Sequence, residues 1–213
     1  MNARRKARLA LDLVIAFLVF YAWIGMMVRG GGLLSSSGLG SLRYFTVLSN
    51  LLEGGASLWA AVSLIAGRGN PVRLEALKWT AGTAVMVTFS VVMLFLGQIY
   101  GYGPMLRGSS LYLHLIVPLL SAAEMLFLRE RELSPKTPRQ PAAAVSAYGV
   151  FYFIRLLAGG RGPDGRFADD FYAFLLWGIP AGIGMFALLL AGTFFMSAGL
   201  LRLGNRILKG RLS

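Results

Sequence analysis

The sequence predicts an all-α integral membrane protein with six transmembrane helices and with both termini in the cytoplasm. Of its 213 residues, 56% are hydrophobic and only 14% are charged, and the mean hydropathy is +0.65. Soluble domains of this size do not have such a balance. The apolar residues fall into six stretches, and each is close to the roughly 20 residues that a helix needs to cross a bilayer.

The six predicted spans follow one another with short connections. They cover residues 9–28, 44–66, 79–100, 110–128, 142–158 and 172–197. The glycine-rich segment 29–41, the proline-rich segment 134–141 and the Gly/Asp-containing segment 159–170 have the composition of connectors. Because no connector is long enough for a second domain, we expect residues 1–213 to form a single transmembrane domain.

The distribution of Arg and Lys predicts the orientation of the spans. Fifteen of the 21 basic residues, Arg8 and Lys78 among them, lie in the two terminal segments and in the connectors after the second and fourth spans. Five lie in the other connectors, and Arg155 lies within the fifth span. The basic side of a membrane protein faces the cytoplasm, so we expect a multi-pass protein of the cell membrane. Basic residues in short loops suit anionic lipid headgroups, so membrane lipids are expected partners and nucleic acid is not.

The composition also restricts the chemistry. The chain has no cysteine, which excludes disulfides and thiolate nucleophiles, and it has one histidine, His114. A single histidine does not favour a zinc or two-metal site. We therefore expect neither a metal ion nor an organic cofactor, and His114 is the one imidazole available as a base near neutral pH.

Polar side chains form one stripe on each of three predicted spans. An ionisable group within a span costs roughly 2.5–3.5 kcal/mol, so each needs a partner or a function. Helical spacing places the following on single faces: Thr46, Asn50, Glu53 and Ser57 on the second span; Ser110, His114, Pro118 and Ser121 on the fourth; Tyr148, Tyr152 and Arg155 on the fifth.

These stripes have two interpretations. They converge on one polar pocket near the outer leaflet, where Gln98 ends the third span and Trp177 lies near the start of the sixth, or they hold the helices together by hydrogen bonds. Arg155 either extends to the membrane interface or contacts an anion. Pro118 cannot donate to the carbonyl of His114, which shapes a cavity or bends the helix there.

Three acidic residues within the spans have separate expectations. Asp12, beside the basic N-terminal segment, is expected at the membrane interface. Glu53 and Glu124 are expected to be protonated or paired with a cation.

Two short motifs resemble a known family. Residues 44–50 read YFTVLSN, and residues 113–120 read LHLIVPLL. With the six spans and the cytoplasmic termini, they are similar to the androgen-induced protein family and its bacterial relatives. Those proteins are membrane-embedded hydrolases that cleave fatty acid esters of hydroxy fatty acids with a threonine and a histidine. The resemblance implies that Thr46 is the nucleophile, that His114 is its base and that the substrate is a lipid or fatty-acyl ester.

The resulting hypothesis is ester hydrolysis through an acyl-enzyme. His114 takes the proton of Thr46, and Thr46 attacks the ester carbonyl. The candidate oxyanion donors or polar substrate contacts are Asn50, Gln98 and Arg155. The candidate pocket-lining residues are Glu53, Ser110, Pro118, Tyr152 and Trp177.

Two other functions fit the same sequence. One is a non-catalytic binding or transport protein for a lipid or small molecule, with Glu53, His114 and Arg155 as its ligand or proton site. The other is a structural subunit whose polar stripes only join helices. The sequence does not specify an oligomeric state.

Overall fold

The computed structural model describes residues 1–161, 167 and 169–210 and confirms the six-helix membrane fold. Arg166 and Arg211, which entered the orientation prediction, lie outside the described residues. The six helices long and apolar enough to span a membrane are α1 (Ala3–Arg29), α2 (Phe45–Ile65), α3 (Val72–Tyr100), α4 (Ser109–Leu128), α5 (Arg139–Gly159) and α6 (Ile179–Lys209). Two short helical turns, Leu39–Arg43 and Tyr102–Met105, lie in the connections.

The predicted start of the sixth span at residue 172 is wrong. The chain from Phe171 to Trp177 forms turns, and α6 begins at Ile179, followed by Pro180. Proline suits the first turn of a helix because the amide that it lacks would have no partner there. The carboxylate of Asp170 accepts the backbone N–H groups of Phe174 and Leu175, both at 2.9 Å, which stabilises the preceding turns.

Helix α3 lies at the centre of the bundle and packs against α2, α4, α5 and α6. Helices α1 and α2 also pack closely, because Gly54 leaves room for Val19: a Cβ at position 54 would lie 2.9 Å from Val19 Cγ1. Large apolar side chains point outward along the spans, including Phe17 and Leu94, which is 79% exposed. Such an apolar exterior is that of a protein surrounded by lipid.

Six charged side chains from four helices are buried together, and we call them the charge cluster. They are Arg8 and Asp12 on α1, Glu53 on α2, Glu75 and Lys78 on α3, and Glu124 on α4. None has more than 4% of its side chain exposed. Because each ion has an oppositely charged neighbour, the cost of removing these groups from water is partly offset.

The charge cluster corrects three expectations. Asp12 is not an interface residue: its side chain is 0% exposed, and Lys78 Nζ lies 3.1 Å from its Oδ1. Arg8 and Lys78 are not basic residues of the connectors, because both are buried within helices. Of the two expectations for Glu53 and Glu124, pairing with a cation is the one seen, since Lys78 Nζ lies 2.9 Å from Glu53 Oε1 and 2.6 Å from Glu124 Oε2.

Candidate functional site

Thr46 lies in the first turn of α2, which follows the extended residue Tyr44. Its side chain lines a cavity of about 40 Å³, a volume of the order needed for one or a few water molecules. The walls come from α2, α3, α5, α6 and the turns before α6, and three tyrosines, Tyr148, Tyr152 and Tyr172, contribute to them. Thr46, which carries a hydroxyl of the type needed for nucleophilic catalysis, therefore lines a small, partly enclosed space with aromatic and aliphatic walls.

Two hydrogen bonds attach the turn before α6, which contains Asp170 and Tyr172, to neighbouring helices. The Tyr172 hydroxyl accepts the backbone N–H of Phe45 at 2.7 Å, a group without an acceptor inside the helix. The neighbouring carboxylate of Asp170 accepts a hydrogen bond from Tyr152 on α5. The turn before α6 is thus attached to both α2 and α5, and it presents the Tyr172 hydroxyl to Thr46.

Burial keeps Tyr172 in its neutral form. Removal from water raises the pKa of this phenol, and hydrogen bonding to Tyr148, Phe45 and Thr46 opposes the rise only in part. A neutral phenol retains a proton that it can donate. Since the Phe45 amide occupies an acceptor position of the oxygen, the proton of Tyr172 remains available for a second partner.

An apolar groove adjoins the Thr46 cavity. It has a volume of about 520 Å³ and runs between α3 and α6. The cavity and the groove share four wall residues, Val87, Val91, Phe174 and Leu189. Most of the remaining groove lining is aliphatic or methionine, which matches the hydrocarbon of an acyl chain.

His114 lies in a π-helical stretch of α4, Tyr112–Ile116. Its Nδ1 lies 2.7 Å from the backbone carbonyl of Met105. A carbonyl oxygen only accepts, so Nδ1 carries the proton in this contact and Nε2 of the neutral ring is the basic nitrogen. Met105 therefore orients His114, a role that we could not assign from the sequence.

Asn50 connects the segments that carry Thr46 and His114. Its Nδ2 donates to the carbonyl of Thr46 at 2.8 Å and to the carbonyl of Leu113, next to His114, at 3.1 Å. Within the described residues, no hydrogen bond joins the Thr46 hydroxyl to the His114 ring, and His114 does not line the Thr46 cavity. The two segments are neighbours, but the two side chains are not in catalytic contact.

The other predicted oxyanion donors are occupied elsewhere. Both donor protons of Asn50 are directed at backbone carbonyls. Gln98 donates to the hydroxyl of Tyr102 at 2.8 Å on the exposed end of α3. Arg155 forms an ion pair with Asp169 at 2.8 Å. The structure instead places the Tyr172 hydroxyl beside Thr46.

The five predicted pocket-lining residues have different locations. Tyr152 lines the Thr46 cavity. Glu53 belongs to the charge cluster, and Pro118 is buried in α4. Ser110 lies partly buried in the first turn of α4, and Trp177 is 61% exposed.

The three residues of the alternative ligand site also remain apart. Glu53 contacts Lys78, His114 contacts Met105, and Arg155 contacts Asp169. Hydrogen-bonding groups do join helices, as the structural interpretation expects: Trp79 Nε1 on α3 donates to Ser197 on α6 at 2.8 Å, and Ser49 and Thr88 are 3.2 Å apart.

Sequence reasoning overlooked three residues of this region: Asp170, Tyr172 and Met105. The sequence signal for the first two was the aromatic and acidic segment that precedes α6. Comparison of the chain with family models, with curated proteins and with solved structures finds no match.

Proposed function

We propose that this protein is a membrane-embedded lipid ester hydrolase that uses Thr46 as its nucleophile and His114 as its base. The observation that carries the proposal is the position of Thr46 in the wall of a cavity that shares wall residues with an apolar groove between α3 and α6. An ester carbonyl in the cavity and an acyl chain in the groove would fit this arrangement. The resemblance of residues 44–50 and 113–120 to a family of threonine hydrolases supports the same assignment.

In the first step, Nε2 of His114 accepts the proton of the Thr46 hydroxyl while the threonine oxygen attacks the ester carbonyl. The tetrahedral intermediate collapses, the C–O bond to the alcohol breaks, and the alcohol takes the proton from His114. An acyl group remains on Thr46. In the second step water attacks this ester, His114 accepts a proton from the water, and the released threonine oxygen takes it back.

The proposal requires a local movement, because Thr46 and His114 share no hydrogen bond in the described structure. This movement would bring the Thr46 hydroxyl and the His114 ring within hydrogen-bond distance. Asn50 supports such a step by fixing the backbone of both segments. Reactive groups in related arrangements often tighten when substrate binds.

We assign Tyr172 as the donor to the oxyanion that forms during attack. Its neutral hydroxyl lies beside Thr46. The backbone N–H of Phe45 donates to this hydroxyl, so the hydroxyl proton remains available for the oxyanion. A positioned donor in a site that excludes water stabilises developing negative charge. In this assignment Tyr172 replaces Asn50, Gln98 and Arg155.

We further propose that both termini are cytoplasmic, which places the Thr46 end of α2 in the outer half of the cell membrane. The distribution of basic residues supports this orientation even without the two that are buried. When Arg8 and Lys78 are left out, thirteen basic residues remain on the cytoplasmic side and five on the other.

The experiment is hydrolysis of a fatty acid ester of a hydroxy fatty acid by the purified full-length protein in lipid nanodiscs. Thr46→Ala and His114→Ala should abolish hydrolysis, and Thr46→Ser should retain it because the hydroxyl remains. Ser146→Ala is the matched control, since this hydroxyl on α5 bonds only to its own helix, at Ala142. Covalent labelling by a fluorophosphonate that is lost in Thr46→Ala and kept in Ser146→Ala would identify the nucleophile. Full hydrolysis by Thr46→Ala would refute the proposal.

A second candidate function is non-catalytic transport, and the charge cluster favours it. Buried ionisable groups within membrane helices commonly serve ion or proton pathways. Movement of a lipid or small molecule into proteoliposomes without ester cleavage would support transport. It would contradict the hydrolase proposal.

A further inference from the structure

The charge cluster contains more carboxylates than cations. Within it, Asp12, Glu53, Glu75 and Glu124 face Arg8 and Lys78. Arg129, at the end of α4, interacts electrostatically with Glu75 and Arg8 of the cluster and with Glu132 outside it. Guanidinium groups do not lose their proton in proteins. If every carboxyl of the cluster were ionised, its four negative charges would face the two positive charges of Arg8 and Lys78.

The contact distances leave Asp12 as the carboxylate with the weakest pairing in the cluster. Arg8 Nη1 is 2.5 Å from Glu75 Oε1. Lys78 Nζ has four oxygen neighbours, at 2.6 Å for Ser57, 2.6 Å for Glu124, 2.9 Å for Glu53 and 3.1 Å for Asp12. An ammonium group has three protons. It cannot donate to all four neighbours, and Asp12 is the most distant.

Asp12 also lacks any other hydrogen-bond donor. Arg8 Nε is its second cationic neighbour, at 3.7 Å, which is beyond hydrogen-bond distance. Neither carboxyl oxygen of Asp12 accepts a hydrogen bond from a residue that the structure describes, although the side chain is 0% exposed. Glu53, by comparison, accepts from both Lys78 and Ser121. Oε2 of Glu124 also accepts no hydrogen bond from a described residue, but it lies 2.6 Å from Lys78 Nζ, whereas Asp12 Oδ1 lies at 3.1 Å.

We infer that the charge cluster is a proton-binding site and that its proton lies on Asp12. An ionised carboxylate that has neither water nor hydrogen-bond donors is very unfavourable in a protein interior, and protonation removes the charge. One proton on Asp12 reduces the excess of negative charge in the cluster, where Arg8 and Lys78 then face three carboxylates. The inference does not depend on ester hydrolysis, because the cluster shares no residue with the Thr46 cavity.

The test is infrared spectroscopy of the full-length protein in lipid nanodiscs at neutral pH, in H₂O and in D₂O. A protonated buried carboxyl gives a C=O stretching band that is separate from the carboxylate bands and moves on deuteration. We expect the wild-type protein to show this band and Asp12→Asn to lose it. The matched control is Glu132→Gln, which removes an exposed carboxylate that pairs with Lys209 and should leave the band unchanged.

Two outcomes would overturn the inference. One is the absence of the band from the wild-type protein, a result that needs no variant to fold. The other is an unchanged band in Asp12→Asn. Unfolding temperatures give an independent check: Asp12→Asn should be about as stable as the wild type, because it replaces one neutral group by another. If Asp12 is instead ionised, Asp12→Asn removes a charge that Lys78 and Arg8 stabilise, and the unfolding temperature should fall sharply.

Discussion

Asn50 on α2 donates a hydrogen bond to the backbone carbonyl of Leu113 on α4 at 3.1 Å. This carbonyl is free because α4 is π-helical there: the N–H of Val117 donates to Tyr112 rather than to Leu113. The next possible donor along the helix is Pro118, which has no N–H. The sequence suggested that Pro118 would leave the carbonyl of His114 without a donor. In the structure, the carbonyl that Asn50 contacts is that of the preceding residue, Leu113.

We predict that Asn50→Ala destabilises the protein by about 1–3 kcal/mol, because it leaves the buried carbonyl of Leu113 unsatisfied. It should also reduce ester hydrolysis, since the Thr46 and His114 segments lose their connection. Chemical unfolding and initial rates would measure the two effects. Asn70→Ala is the control, because the buried amide of Asn70 has no hydrogen-bond partner among the residues that the structure describes. Equal destabilisation by both substitutions would contradict the role of the Leu113 contact.

The Tyr172 hydroxyl provides the second prediction. Tyr172→Phe should lower kcat by about 10²–10³-fold, the usual effect of removing one oxyanion donor, with a smaller change in KM. The loss of the acceptor for Phe45 N–H should cost roughly 1 kcal/mol of stability. Steady-state kinetics should be compared with those of Tyr100→Phe, an exposed tyrosine at the end of α3. An unchanged kcat in Tyr172→Phe would remove this residue from the mechanism.

The spans and polar stripes were predictable because both follow from local order in the sequence. The length of apolar runs gives the helices, and a spacing of three or four residues places side chains on one face. On α2 the stripe does face inward, since Asn50, Glu53 and Ser57 are all buried. The start of α6 was not predictable in this way, because residues 172–177 are apolar yet fold into turns.

The contacts between stripes could not be predicted, because periodicity does not specify which helices are neighbours. Arg8 and Lys78 resembled ordinary basic residues at span ends, and only the packing of α1, α2, α3 and α4 reveals their carboxylate partners. The role of Met105 could not be predicted either, because this residue contacts the His114 ring through its backbone carbonyl. Backbone groups carry no sequence signal of their own.

A third prediction concerns the basic nitrogen of His114. His114→Ala should reduce ester hydrolysis by about 10²–10⁴-fold, the usual contribution of a general base. Imidazole added to the buffer should restore part of the rate, because the substitution leaves space for a free base. Single-turnover assays with and without imidazole would measure the rescue. A rate in His114→Ala equal to that of the wild type would show that Thr46 is activated by another group or is not the nucleophile.

The groove between α3 and α6 makes a fourth prediction about chain length. Gly192 lines the groove, and a Cβ at this position would meet no described atom within 4 Å. Gly192→Leu should therefore fill part of the groove without disturbing packing, and kcat/KM should fall for long acyl chains more than for short ones. Gly199→Leu is the matched control, since Gly199 on the same helix also has open space and does not line the groove. The same loss in both variants, or for all chain lengths, would argue against acyl binding there.

Lys78 Nζ lies within 3.1 Å of three carboxylates of the charge cluster, and its removal provides the fifth prediction. Lys78→Met should destabilise the protein by about 3–5 kcal/mol, because buried carboxylates then lose their compensating charge. The additional substitution Glu124→Gln should recover part of this loss by removing one of those carboxylates, whose Oε2 lies 2.6 Å from Lys78 Nζ. Lys209→Met breaks an exposed ion pair with Glu132 and should change stability by less than about 1 kcal/mol. A double variant no more stable than Lys78→Met would show that lost packing, rather than uncompensated charge, accounts for the effect.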